Sequence, residues 1–332
     1  MLLRVNGGHL SPRGPSGVPA LLPVMGFCLY LLTLLLLLCL CTAQWCYQKQ
    51  NCDDECKDPS RWPVQFPRCG GSHQSPVNIV SRKVQLNSSL PPFSFIGHVD
   101  AINVTVKNNG HYAHFGLPES VRLAGGGLPG HYRAFRFHFH WGGGSGRPGS
   151  EHTIDGERYP MELHIVHIKE PFHSLEEAEQ DTAGIALLAF LFEETAADHP
   201  HLDSIIAALG RAKYNGSNTV IPNFRLNDII PAAKDLHSYY RYVGSMTTPG
   251  CEQAVEWTVF HRTLSISSRQ LDAIVAQCQF WTGQPMTDIY RPTQPLDGRV
   301  VYSSKSGTPQ KRVTHLWISV FSGFLIIVTL TH

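Results

Sequence analysis

Seven residues, Phe135-Arg136-Phe137-His138-Phe139-His140-Trp141, constrain this chain more than any other stretch. Aromatic and polar residues alternate strictly through them. In an extended strand, Phe135, Phe137, Phe139 and Trp141 fall on one face and Arg136, His138 and His140 on the other. The aromatic face is that of a strand packed on a core. The other face sets two imidazoles two residues apart and pointing the same way, which is the beginning of a metal site. An isolated His-x-His is equally what a half-solvated sheet with two idle histidines presents, so the residues downstream decide between the two readings.

The alternation returns in Met161-Glu162-Leu163-His164-Ile165-Val166-His167. Glu162, His164 and Val166 share one face, and Leu163, Ile165 and His167 the other. If this strand neighbours the first, His164 meets His138 and His140 across a ladder whose strands lie about 4.8 Å apart. Three neutral imidazoles with one open position make a catalytic zinc site, and Glu162 is placed to hold a ligand's second nitrogen. Further strands are predicted at 102–107, 185–192 and 257–260, the second a nearly continuous apolar run suited to a central strand. Asn108-Asn109-Gly110 punctuates the first of these, and 142–150 reads as a flexible, glycine-rich connection. Two helices are predicted. One spans 201–213 and carries Ile205, Ile206 and Leu209. The other spans 267–278, with Ser267 and Gln270 at capping-box spacing and Leu271, Ile274, Val275 and Cys278 on one stripe. With no repeat or internal linker, the fold class is mainly β with peripheral short helices (α+β), in a single sheet-dominated domain.

The ends of the 332-residue chain read differently. Residues 20–41 are almost wholly apolar, preceded by Arg4 and Arg13 and closed by the small-residue pattern Cys41-Thr42-Ala43. That is a secretory signal peptide over 1–43, with the mature chain starting near Gln44. Met25 offers a second start, and an uncleaved signal anchor is the rival reading. At the other end, 316–330 is apolar but shorter than the roughly 20 residues a spanning helix needs, and no basic cluster follows it. Ser306-Gly307-Thr308, a polar spacer with Lys311 and Arg312, and the apolar tail form a glycosylphosphatidylinositol (GPI) attachment signal over 304–332, with Ser306 as attachment site and the tail removed.

The span between, 44–303, is about 260 residues, enough for one large core. A net charge of +1 with scattered Lys and Arg argues against a nucleic-acid partner. Of nine cysteines, Cys28, Cys39 and Cys41 leave with the signal. Cys46, Cys52, Cys56, Cys69, Cys251 and Cys278 remain, an even number in a secreted context, which favours disulfides without fixing their pairing. Residues 44–71, Cys- and Pro-rich and aperiodic, read as an irregular stapled wrap. Asn87, Asn103 and Asn215 each open a glycosylation acceptor suited to the same compartment.

Phe137-His138-Phe139-His140-Trp141-Gly142, Ser150-Glu151-His152-Thr153, Glu162-Leu163-His164-Ile165-Val166-His167 and Gly244-Ser245-Met246-Thr247-Thr248-Pro249 resemble the signature blocks of the alpha-class carbonic anhydrases, in family order. Gln74-Ser75-Pro76-Val77-Asn78-Ile79 and Asn108-Asn109-Gly110-His111 match further blocks. The resemblance covers essentially the whole mature domain. With its anchor signal and extra cysteines, the chain is most similar to the membrane-anchored, GPI-linked carbonic anhydrase IV type.

The resemblance implies the alpha-carbonic-anhydrase fold, a large twisted, mostly antiparallel sheet. It implies one catalytic Zn2+ on His138, His140 and His164, whose bound water ionises near neutral pH, as the carbonic anhydrases themselves exemplify. The resulting hydroxide attacks carbon dioxide. Thr247 would accept the hydroxide's proton in a hydrogen bond and donate its own to Glu151, a carboxylate that can only accept. Val166, Leu187, Met246, Val255 and Trp257 match the apolar wall where the family places carbon dioxide, and Thr248 lines the same pocket. His111 matches the proton shuttle, for which an unperturbed pKa of about 6.5 is suited. Tyr47, Asn109 and His114 match positions around the water path, and His152 and His167 are left with structural roles. By resemblance Cys69 pairs with Cys251 and Cys46 with Cys56. Cys52 and Cys278 are not common to the family, and Cys278, on an apolar stripe, reads at least as well as a buried free thiol.

Arg136 departs from the family pattern, which usually has Gln there, accepting a hydrogen bond from the first zinc histidine. Arginine has no acceptor. The expected consequence is weaker zinc affinity, outer-shell losses being about 10–100-fold; a charge that draws bicarbonate or lowers the pKa of the water is the alternative. Met246 and Leu187 are larger or more flexible than some members carry, which bears on inhibitor fit. The implied function is zinc-dependent reversible hydration of carbon dioxide to bicarbonate and a proton, at the extracellular face of the cell membrane. A GPI-anchored monomer is expected, with bicarbonate or proton transporters as the protein partners such chemistry would serve. The competing class is a non-catalytic binding module of the same fold. Members of that kind typically lose a zinc histidine, whereas this chain keeps all three with Glu151, Thr247 and His111. Ester hydrolysis would be a side reaction of the same centre.

Overall fold

A computed structural model describes residues 45–47 and 56–305. The signal at 1–43, Cys52, Ser306 and the apolar tail lie outside the described residues. Among those described, no helix is long and apolar enough to cross a membrane.

Strands dominate. In chain order they are β1 (Asn78–Ile79), β2 (Gln85–Leu86), β3 (Phe93–Ile96), β4 (Ile102–Asn108), β5 (Ala113–Gly116), β6 (Arg122–Gly125), β7 (Tyr132–Trp141) and β8 (Thr153–Ile154). There follow β9 (Glu157–Arg158), β10 (Met161–Lys169), β11 (Ile185–Thr195), β12 (Asn218–Phe224), β13 (Tyr239–Gly244), β14 (Val255–Phe260), β15 (Leu264–Ser267) and β16 (Tyr302–Ser303). Thirteen of these form one sheet in the order β12-β4-β5-β7-β10-β11-β14-β13-β16-β2, with β6 beside β7, β3 beside β6 and β15 beside β11. Most pairings are antiparallel, but the central pair β11–β14 is parallel, as are β11–β15 and β16–β2. The result is a mainly β, mixed sheet with short peripheral helices.

Burial follows position in the sheet. β4, near an edge, alternates buried Val104 and Val106 with exposed neighbours. β10 and most of β11 are buried on both faces, which is why the second reads as a continuous apolar run. One face carries a core of Phe137, Phe139, Trp141, Leu163, Ile165 and Phe190, among others. The opposite face carries a second cluster around Val166, Leu187, Val255 and Trp257. The polar face of the opening strand is therefore not half-solvated: His138 is 5% exposed and His140 fully buried.

Strict alternation also breaks once. Arg136 pairs with Val166 and Ala134 with His167, so Phe135 is an extra residue in β7, a β-bulge. The bulge takes Phe135 off the aromatic face, and it packs on the cluster of Val166 and Leu187 instead. The expected flexible connection at 142–150 is likewise tighter than a linker. Gly143 N–H donates to the Arg147 carbonyl and Arg147 N–H to that of Gly144, and a Cβ on Gly149 would collide with the backbone of Gly142.

The two longer helices are Asp203–Arg211 and Ser268–Gln277. Ser267 caps the second, accepting from Gln270 N–H at 3.1 Å. Gln270 does not complete the box; its amide bonds both backbone groups of His199 across the fold. Cys278 ends this helix as a buried free thiol facing the Leu209 carbonyl. Cys46 is bonded to Cys56 and Cys69 to Cys251.

Candidate metal centre

The site begins with strand register. β7 and β10 pair antiparallel with His138 opposite His164 and His140 opposite Glu162. Directly opposed residues project to the same face, so three imidazoles gather on the side of the second core. Their ring centroids lie 4.9, 5.3 and 4.6 Å apart, and one ring nitrogen from each falls within 4.8 Å of the others.

Hydrogen bonding sorts these nitrogens. His140 Nδ1 lies 2.8 Å from the Ile289 carbonyl, and His164 Nε2 lies 2.7 Å from Glu162 Oε1. A neutral imidazole has one donor nitrogen, and these bonds use it. Nε2 of His140 and Nδ1 of His164 are then lone-pair acceptors, both buried without a hydrogen-bond partner. Such orphans are rare in folded proteins, and convergent imidazole lone pairs are the donor set of zinc and its neighbours. Burial, reinforced by the other two rings, pushes His138 well below its ordinary pKa. Burial also lowers His140, with Glu151 opposing. Neutral rings are what a metal requires. The residues present fit a zinc ion.

Behind the triad runs a buried polar chain. Glu162 Oε1 also meets His152 Nδ1 at 2.6 Å, and its Oε2 accepts the backbone N–H groups of Glu151 and His152 at 2.7 and 2.8 Å. Burial resists ionisation of Glu162, but His152 and His164 outweigh it and hold the carboxyl well below its usual range. His152 Nε2 meets the Tyr242 hydroxyl at 2.7 Å, which donates to Ser75 Oγ at 3.0 Å. With its oxygens so engaged, Glu162 orients the site from behind.

Glu151 approaches from the other side. Its Oε1 accepts Arg291 N–H at 2.8 Å. Its Oε2 lies 3.4 Å from His140 Nε2 and 3.9 Å from His164 Nδ1, with no hydrogen-bond partner. Neither oxygen accepts from Thr247 in this arrangement. Thr247 is buried on a loop closed by Met246 N–H to Glu252 and Cys251 N–H to Thr248, and tied by the Cys69–Cys251 bridge. The Arg291 guanidinium braces that region by donating to Gln74 Oε1 and to the carbonyls of Ser75 and Cys69.

The apolar wall also follows from register. Val166 opposes Leu187, which opposes Trp257. With Met246 and Val255 they form one buried cluster, which Phe135 joins through its bulge. Trp257 stands 4.8 Å from the His164 ring, centroid to centroid, so the wall reaches the triad. Thr248 is half-buried.

His111 sits on a turn built by Asn109, whose Oδ1 accepts the N–H groups of His111 and Tyr112. Gly110, at φ +85°, supplies the left-handed residue. The His111 ring stacks on Trp45 at 3.9 Å and 9°, and burial lowers its pKa to about 4. Tyr47 is buried edge-on to Trp45. His114 opposes both Lys107 and His138 in the ladder. Burial, then the charges of Arg136 and Lys107, lower it to about 4. Asn103 and Asn215 are exposed, and Asn87 half-buried. Arg136 lies over the Phe135 and Tyr112 rings at 5.4 and 5.9 Å. Sequence reasoning passed over Arg291, Tyr242 and the Ile289 carbonyl. A backbone acceptor has no signature in residue type, and the other two act through segments far along the chain.

The eukaryotic-type carbonic anhydrase family model matches residues 57–305. Carbonic anhydrase 4 of Oryctolagus cuniculus is 37% identical over 264 residues, covering 79% of this chain and 84% of that protein. Carbonic anhydrase 15 of Mus musculus is 37% identical, with 82% of this chain and 86% of that protein covered. Carbonic anhydrase 6 of Bos taurus is 35% identical, with 82% and 83% covered. The chain thus belongs to the eukaryotic-type carbonic anhydrases, the carbonate dehydratase lyases.

Proposed function

We propose that this chain hydrates carbon dioxide reversibly, at the outer face of the cell membrane, around one zinc ion held by His138, His140 Nε2 and His164 Nδ1. The observation that carries the proposal is the convergence within 4.8 Å of one nitrogen from each of three buried rings, two of them lone pairs that nothing else uses. Zinc held there supplies a Lewis acid that makes water a nucleophile near neutral pH.

The chain's own residues do the rest. The Ile289 carbonyl and Glu162 fix the tautomers of His140 and His164. Glu151 Oε2, buried and unpartnered, is the acceptor for the Thr247 hydroxyl, which leaves the threonine oxygen free to orient the attacking water. Val166, Leu187, Met246, Val255 and Trp257 offer carbon dioxide an apolar surface and give the charged product nothing to pair with. Thr248 lines the same pocket. His111 moves the proton. Against Trp45 it stays neutral, so relay at neutral pH requires the ring to leave the stack, where its pKa returns toward about 6.5. Tyr47, Asn109 and His114 flank that path.

The signal at 1–43, the acceptors at Asn87, Asn103 and Asn215, the two disulfides and the attachment signal at Ser306 support a GPI-anchored glycoprotein. Bicarbonate or proton transporters are the partners it would serve. The test pairs zinc content with the stopped-flow rate of carbon dioxide hydration, and adds release from cells by a phosphatidylinositol-specific phospholipase. A folded, zinc-loaded protein without hydration activity overturns the chemistry. Retention on membranes after phospholipase overturns the anchor.

A further inference from the structure

We infer that an N-linked glycan on Asn215 screens the proton exit at His111, slowing proton transfer to large acceptors while sparing small ones. The inference rests on the shuttle and secretory readings above. It singles out one of the three glycosylation acceptors as a regulator of the relay.

The acceptor loop and the His111 turn are bonded to one another through Asn108, which is buried. Asn108 N–H donates to the Ser217 carbonyl at 3.1 Å, and its carbonyl accepts Gly216 N–H at 2.8 Å. Its side-chain Nδ2 donates to the carbonyls of Lys213 and Gln279 at 2.9 and 3.1 Å. Its Oδ1 accepts Gly110 N–H at 2.8 Å. Asn215-Gly216-Ser217 is thereby pinned to the residue that opens the Asn109-Gly110-His111 turn.

Asn215 itself reaches that turn. A Cβ on Gly110 would stand 2.9 Å from both Cγ and Oδ1 of Asn215 and 2.8 Å from Trp281 Cβ. Nδ2 is the amide atom farther from Gly110, and Asn215 is exposed. In glycosylation Nδ2 bonds to C1 of the first sugar of a lipid-diphosphate oligosaccharide; the C1–O bond to the diphosphate breaks and the amide gives up one proton. The other acceptors lie elsewhere. Asn87 bonds Ser303 at the opposite edge of the sheet. Asn103 is on β4, five residues before Asn108, about 17 Å away along the strand.

One face of the His111 ring is covered by Trp45, and its Nδ1 is buried without a partner. Proton acceptors therefore meet the ring from a restricted side. A bulky, hydrated glycan rooted against the neighbouring Gly110 occupies solvent there, and the orientational limit on encounter tightens for large acceptors. Water and small buffers still pass.

The test uses the zinc-loaded protein from a secretory host, with glycans mapped by mass spectrometry. Proton-transfer rate constants come from the dependence of hydration on buffer concentration, with free imidazole and with imidazole coupled to dextran. Asn215→Gln should raise the constant for the coupled buffer by up to about tenfold and leave both the free-imidazole constant and carbon dioxide/bicarbonate exchange at equilibrium unchanged. Asn103→Gln should change none of them. An unglycosylated Asn215, no gain in Asn215→Gln, or an equal gain in Asn103→Gln overturns the inference. If His111→Ala leaves the coupled-buffer constant untouched, the shuttle reading fails instead. Should Asn215→Gln not fold, enzymatic deglycosylation of the folded native protein and of Asn215-glycosylated Asn103→Gln gives the comparison, and both should show the gain.

Discussion

Glu162 Oε1 lies 2.7 Å from Nε2 of His164, and that one contact turns the other nitrogen of the ring, Nδ1, toward the metal position. The carboxylate takes four N–H contacts in all, from His152, His164 and two backbone amides. Glu162→Gln would replace an acceptor-only oxygen with an amide donor facing donors. Zinc affinity should fall about 10–100-fold with the fold intact, measured by chelator competition alongside circular dichroism. Unchanged affinity would show that Glu162 does not orient the ligand.

Val166, Leu187 and Trp257 form one row across three strands. Val166→Trp would fill the space against this wall without touching a zinc-binding nitrogen. Hydration kcat/KM should drop about 100-fold while bound zinc stays stoichiometric. Full activity with the bulky residue in place would move the substrate elsewhere.

Trp45 holds His111 in a stack that keeps it neutral. His111→Ala should lower the hydration rate in dilute buffer by about tenfold or more, leave carbon dioxide/bicarbonate exchange at equilibrium nearly intact, and be rescued by added imidazole. Equal loss of both rates would remove the shuttle assignment. Trp45→Ala should raise the His111 pKa from about 4, followed by NMR titration.

Away from the metal centre, burial lowers His98 to about 4, His261 to about 4 and His167 to about 3, the last with help from His98. The unfolded chain therefore binds more protons than the folded one below the ordinary histidine pKa, and stability rises with pH there. Their contribution is fully present above about pH 6.5 and is lost as pH falls through 4. Urea midpoints measured from pH 7 to pH 4 should decline steadily, and His167→Phe should flatten the decline. A pH-independent midpoint would contradict the burial of these rings.

The Cys69–Cys251 bridge spans 182 residues and ties the Thr247 loop to the segment braced by Arg291. Cys69→Ala should cost about 2–5 kcal/mol of stability, read by urea denaturation of the oxidised proteins. A smaller loss in hydration rate should accompany it as the loop loosens. Cys278→Ala, by contrast, removes a thiol in no bridge and should leave the response to reductant unchanged.

Much of the site can be read from strand periodicity. Alternation in 137–141 and 161–167 told which side chains share a face, and His138, His140, His164 and Glu162 do share one. The same rule misplaced Phe135, because a period of two carries no mark of an inserted residue. It also left open whether the polar face is half-solvated, since a strand's own pattern says nothing of what the rest of the chain stacks on it. At Ser267 and Gln270 the local rule was half fulfilled: the cap forms, but Gln270 spends its amide on His199 across the fold.

By itself, then, the sequence determined which residue types lie on which side of each strand, the family of the chain, and the chemistry its three histidines invite. These depend on spacing and side-chain identity, which are local. Only the tertiary structure decided which nitrogen of each ring is left over. Ile289 engages one ring from 149 residues away along the chain. Glu162 engages another, and His138 Nδ1 and Arg136 Nε are left unmet. Hydrogen-bond satisfaction is settled by whatever distant backbone and side chains are brought within about 3 Å, and no window of sequence contains that information.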